Sequence, residues 1–221
     1  MRALRNVIVL AFLGLLSFAL GCAHTIPLKP TVEVIPRITK VPATVGVYYA
    51  PEFRNYKHEG SRGGDKWIFA LGEASIKLFD QALPQVFTSV ISVEKRPPLE
   101  TASADLTAVI EPRIESFNFA LPMIKTGAYT ADITYRFTLY SMQGNPVASW
   151  PVQGSGVQHG SFGLEFSRWP GEAADLAMQD AATKFLTGFR DVPEVRRWLQ
   201  STGISAGREA TDGFQIVFVR R

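Results

Sequence analysis

Tyr129-Thr-Ala-Asp-Ile-Thr-Tyr-Arg-Phe-Thr-Leu139 carries an apolar side chain at every odd position and a polar one at every even position. A period of two over eleven residues puts one set of side chains on each face of a strand, and only a half-buried strand has that need. Gln143-Gly-Asn-Pro146 supplies turn residues. Val147-Ala-Ser-Trp-Pro-Val-Gln-Gly-Ser-Gly-Val157 then returns as the partner, with fraying expected at Gly154 and Gly156. A long β-hairpin is therefore the anchor of the fold.

C-terminal to the hairpin, Pro170-Gly171 precedes a helix predicted over residues 172–189, with Ala173, Leu176, Ala177, Ala181, Phe185 and Phe189 as its apolar stripe. A short helix over 194–200 and a last strand or docking segment over 214–219 follow. N-terminal to the hairpin, Leu106, Ala108 and Ile110 begin a strand that runs toward Phe119, Pro112 marking an edge or bulge. Residues 89–93 fit a short strand. Apolar residues at Ile76, Phe79, Leu83, Val86, Phe87 and Val90 predict a helix over 72–90 that Pro84 kinks or shortens. Residues 52–65, with Gly60, Gly63 and Gly64, read as a polar loop, and residues 44–49 as the first strand. Both apolar stripes are buried at once if the helices share a sheet. The expected fold is α+β: a mostly antiparallel sheet of four to five strands with two amphipathic helices packed on one face.

The amino terminus reads as an address. Arg2 and Arg5 precede fourteen uncharged residues, 7–20, and Ala19-Leu-Gly-Cys22 ends the run. Fourteen helical residues span roughly 21 Å at 1.5 Å each, short of the ~30 Å hydrocarbon core. The run is a cleaved export signal rather than a retained span. Cys22 is the only cysteine of the 221 residues, so no disulfide forms within the chain. The expected organisation is a signal over 1–21, Cys22 with a tether over 22–43 rich in proline (Pro27, Pro30, Pro36, Pro42), and one periplasmic domain over 44–221. Removing Arg2 and Arg5 lowers the formal charge from +3 to about +1. Dispersed charge of that size gives no nucleic-acid footprint.

Chemistry is sparse. His24, His58 and His159 are isolated, with Glu59 beside His58 the nearest approach to a ligand pair, so no metal or other cofactor is expected. Gly154-Ser-Gly156 lacks the nucleophile-elbow pattern. Residues 60–65 are glycine-rich without a P-loop Lys-Ser/Thr pair. Glu111, Arg113 and Glu115 alternate on one face; an acid/base pair competes there with a solvent-facing charge ladder, which is favoured. No catalytic residue is assigned. The apolar run 117–124 offers Phe117, Phe119, Leu121, Met123 and Ile124 either as core or as a surface that docks a partner or lipid. Phe162, Phe166 and Trp169 pose the same choice.

The motif ending at Cys22, the proline-rich segment, the strand 44–49, the helix 72–90, the hairpin 129–157 and the helix 172–189 together resemble small Gram-negative outer-membrane lipoproteins of the LptE, YajG and transport-auxiliary type. The resemblance implies a diacylglycerol thioether on Cys22, cleavage before it and further acylation of the new amino terminus. Ala23, where Asp would signal inner-membrane retention, implies an outer-membrane anchor facing the periplasm. It implies a non-enzymatic accessory of an envelope protein complex, with membrane contact through Cys22. The alternative is a lipid-binding component of an envelope lipid-transport system.

Overall fold

The computed structural model describes residues 23–32, 38–62, 65–99, 105–122, 126–161 and 167–204. In chain order the strands and helices among the described residues are β1 (Ala23–Ile26), β2 (Val41–Tyr48), α1 (Pro51–Arg54), β3 (His58–Arg62), β4 (Asp65–Phe69), α2 (Leu71–Val86), β5 (Phe87–Val93), β6 (Leu106–Ala120), β7 (Thr126–Ser141), β8 (Pro146–Ser161), α3 (Arg168–Gly188) and α4 (Pro193–Ser201), with a 3₁₀ turn at Phe189–Asp191. The predicted last strand at 214–219 lies outside the described residues.

The hairpin is β7 and β8, paired antiparallel with Ile133 opposite Gly154, Tyr135 opposite Val152 and Phe137 opposite Trp150. Gly144 closes the turn at φ +87°, a left-handed conformation that glycine adopts without steric cost. The odd positions of β7 from Tyr129 to Leu139 are all buried. β6 pairs antiparallel with β7, its register shifting between Ile114 and Ser116, near the bulge that Pro112 suggested.

The other half of the sheet departs from expectation. The order is β5-β2-β6-β7-β8, and β2 is parallel to both β5 and β6, so the sheet is mixed rather than mostly antiparallel. The chain leaves β2 and reaches β5 only after crossing back through α2, which forces the two strands into the same direction. Alternation within a strand reports which face is buried and is silent on a neighbour's direction.

A second sheet, order β1-β4-β3, was not anticipated. The stretch 52–65 is not a loop: it forms α1, β3 and the start of β4. Nor is the segment after Cys22 an extended tether. Ala23 to Ile26 pair parallel with Lys66 to Phe69, the Lys29 amide donates to both carboxylate oxygens of Asp175 at 2.9 and 3.1 Å, and Gln179 donates to Thr31 at 3.3 Å.

α2 runs through Pro84, which sits in its last turn where one lost backbone bond is tolerable, and ends at Val86. Phe87 and Val90 therefore belong to β5 instead. α3 starts four residues earlier than predicted, and Leu176 of its supposed stripe is 39% exposed, while Ala174, Met178 and Ala182 are buried.

Both helices cover one face of the large sheet through stacked and edge-on rings. Phe79 of α2 lies edge-on to Tyr135 and Phe137 at 5.0 and 5.1 Å, and Phe185 of α3 is 4.4 Å from Phe137. Such pairs add about 0.5–1.5 kcal/mol each beyond area burial. A buried polar contact in this layer, Ser75 Oγ with Tyr135 OH at 2.8 Å, satisfies two buried hydroxyls. α3 approaches β8 closely because Gly154 and Gly156 face Ala173, Ala177 and Ala181. β8 does not fray there; the glycines are the floor on which the helix rests.

The small sheet covers the remaining part of the same face. Phe69 of β4 packs on Phe117 and Phe119 of β6 at 5.2 and 5.0 Å. The opposite face carries Thr130, Asp132, Thr134, Arg136 and Thr138 of β7, all partly exposed.

Candidate functional site

Three regions drew attention in the sequence, and the fold distributes them differently. The apolar run 117–124 divides. Phe117 is 4% exposed and packs into the core, while Phe119 and Leu121 are partly buried against it. Met123 and Ile124 lie outside the described residues, as do Phe162 and Phe166. Trp169 opens α3, with its indole against the bare Cα of Gly160 and the Arg168 guanidinium 4.6 Å above the ring.

The charge cluster on β6 is more ordered than a solvent-facing ladder. Glu111 is 1% exposed, and its carboxylate accepts from Arg96 Nε at 2.5 Å, Arg96 Nη2 at 2.6 Å and Arg113 Nε at 3.0 Å. Burial pushes this carboxyl up, but the bonds from Arg96 and Arg113 outweigh it and hold the group below the usual range. It is ionised at neutral pH and fully engaged, which unsuits it as a general acid or base. Glu115 pairs separately with Arg136 of β7. The missed residue was Arg96: fifteen positions away, in a segment that offered no pattern, it stacks over Tyr48 and Tyr140 at 5.9 and 5.8 Å.

These arginines border an open cleft of about 770 Å³ where β2 ends and β6 runs on past it, paired with β7; Tyr48, Phe53, Tyr56, Arg96, Arg113 and Ile114 line it. Two guanidiniums share one buried carboxylate, and Glu52 stands on the same cleft. Polar and aromatic walls of this kind suit a polar group and give no enclosed apolar space for an acyl chain.

The remaining candidates resolve individually. His58 sits on β3 with its ring 5.0 Å from Phe117, and burial lowers its pKa, so it serves as a neutral aromatic within the packing. Ser155 is mid-strand, its hydroxyl bonded to Asp132 at 2.6 Å and its amide to Asp180 at 2.9 Å. Among the described residues no three His, Cys, Asp or Glu side chains gather closely enough to hold a metal. No helix among them is long and apolar enough to cross a membrane.

The fold has a solved counterpart. A Xanthomonas campestris protein of the DUF330 family superposes with a TM-score of 0.50 at 12% identity, covering 81% of this chain and 99% of that one. The two share a fold. A Caulobacter crescentus protein named as a candidate lipoprotein and a minor lipoprotein of Acinetobacter baumannii give TM-scores of 0.42 and 0.37, each at 11% identity over 72% of this chain, and 91% and 95% of theirs. At those scores the superpositions carry no inference. No protein-family model matches the sequence, and no curated protein matches it.

Proposed function

We propose that the chain is a lipid-anchored, periplasm-facing lipoprotein of the outer membrane that serves a cell-envelope complex as a non-catalytic accessory or assembly factor. The observation that carries the anchor is Ala19-Leu-Gly-Cys22 at the end of an uncharged run too short to span a bilayer, with the folded domain beginning at the next residue. One acyl chain binds a membrane only marginally, at ~0.8 kcal/mol per buried methylene, so the diacylglycerol and further acylation together supply a lasting hold.

The accessory role draws its support from the filled core. Rings from α2, α3 and β7 occupy the space in which a lipid carrier would hold an acyl chain. The partly exposed polar face of the large sheet is a surface on which another envelope protein can dock. Cys22→Ser is expected to abolish labelling by a fatty-acid analogue and leave unprocessed or mislocalised precursor; normal membrane retention would sink the anchor. Crosslinking and pull-down of the native lipidated protein should recover an envelope protein. Recovery of stoichiometric phospholipid and no protein would instead favour the lipid-transport alternative.

A further inference from the structure

The chain after Cys22, expected as a tether, is instead paired into the domain from its first described residue. Ala23 is already paired with Lys66, the second residue of β4, and β3 ends on the same side, with Arg62 opposite Asp65. Between the residue that carries the lipid and the folded domain there is a single Cα–Cα step, about 3.8 Å.

The direction of this end is fixed by α3. A Cβ on Gly171 would meet the Pro27 carbonyl at 2.7 Å, Lys29 donates to Asp175, and Gln179 donates to Thr31. Residues 27, 29 and 31 thus climb beside 171, 175 and 179, and the segment and helix run the same way. Ala23, four extended residues before Pro27, projects roughly 13 Å below it at 3.3 Å each. Trp169 lies only two helical residues, roughly 3 Å, below Gly171. The same end holds the close of β8, where Gly160 meets Trp169, and the start of β7, where Gly127 meets Pro122.

We propose that this end of the domain, with Ala23 and Lys66 toward the bilayer and Trp169 roughly 10 Å above Ala23, rests against the phospholipid surface that receives the Cys22 lipid. The headgroup layer is about 6 Å thick on each side of the hydrocarbon. A one-residue link leaves no room for water-filled separation across it. The residue nearest the link fits: Lys66 is exposed, and its ammonium is the group that meets lipid phosphate. The domain then stands with the β7–β8 turn farthest away, roughly 50 Å up a sixteen-residue strand at 3.4 Å per residue.

This orientation rests on the lipoprotein reading, and one experiment separates the two. The full lipidated protein, with Cys22 occupied by its lipid, takes a nitroxide at Lys66→Cys or Asn145→Cys, both exposed positions. Each variant is reconstituted in vesicles of three parts phosphatidylethanolamine to one part phosphatidylglycerol, and collision with a nickel chelate is measured by electron paramagnetic resonance. The label at 66 should collide several-fold less often than the label at 145, which should match the rate in detergent-free solution. Equal accessibility at the two positions, in protein whose mass shows the lipid on Cys22, overturns the orientation alone. A mature mass without the lipid overturns the anchor and the orientation with it.

Discussion

Gly154→Ala adds one methyl group where β8 meets α3. An ideal Cβ there would stand 2.5 Å from the Ala181 amide nitrogen and 2.8 Å from Ala181 Cβ, and closer still to the carbonyl oxygen of Ala177. Ordinary contact begins near 3.4 Å, and the obstruction is backbone, which no rotamer change relieves. The helix must retreat by about 1 Å, and a gap of that size forfeits a quarter to a half of each dispersion contact behind it. Ala173, Ala177, Ala181 and Phe185 all lie on that inner face, each no more than 1% exposed. Overpacking costs about 1–3 kcal/mol, and rigid obstruction places this case at about 3 kcal/mol. For a domain of this size that corresponds to a fall in Tm of about 6–12 °C. Thermal and urea unfolding of the mature domain from Ala23, followed by far-ultraviolet circular dichroism, gives the number. Gly188→Ala is the internal control: it adds the same methyl at the last residue of α3, nothing lies within 4 Å, and it should gain up to about 1 kcal/mol. If Gly154→Ala unfolds within about 0.5 kcal/mol of the parent, the close-packed seam does not hold the helix and the reasoning fails.

Other perturbations read other parts of the structure. Glu111→Gln should cost about 1–3 kcal/mol at neutral pH, because Arg96 and Arg113 lose a charged acceptor. The folded carboxyl titrates below its ordinary value, so its stabilisation is present above the unfolded pKa of 4.5 and lost as pH falls through the folded one. Urea midpoints of parent and variant should therefore converge as the pH is taken progressively below 4.5. Asp175 runs the other way. Burial, opposed by the Lys29 amide, pushes its carboxyl up to about 6, so its contribution is present below the unfolded value of 3.8 and lost as pH rises through about 6. Asp175→Asn, which keeps an acceptor for Lys29, should gain on the parent steadily across that interval, and a parallel pair of curves would contradict it. Ser75→Ala strands the Tyr135 hydroxyl at a cost of about 1–3 kcal/mol, and adding Tyr135→Phe should recover much of it in a double-mutant cycle.

The legible parts of the fold were those whose energetics are local. β7 announced itself because a half-buried strand requires alternation, and α2 because a helix needs one apolar stripe. The small sheet was hidden because β1 has four residues, β3 is polar and glycine-bearing, and their burial is decided by Phe69 meeting Phe117 and Phe119 some fifty positions away. Gly154 and Gly156 misled for a related reason: a glycine weakens an isolated strand, and here its missing side chain is what α3 fits against. The candidate site was half readable. Glu111, Arg113 and Glu115 stood out, but Arg96, which buries Glu111, belongs to a segment without periodicity.

The pairing of β1 with β4 also sets how the domain meets mechanical load. With the anchor proposed at Cys22, a pull between it and any grip on the body acts along β1, whose bonds to β4 lie across that direction. They are then loaded in shear, sharing the tension together, rather than unzipped singly as in a peeled hairpin. The bonds from Lys29 to Asp175 come next in the line of force, so the first described element is also a strain relief for the rest.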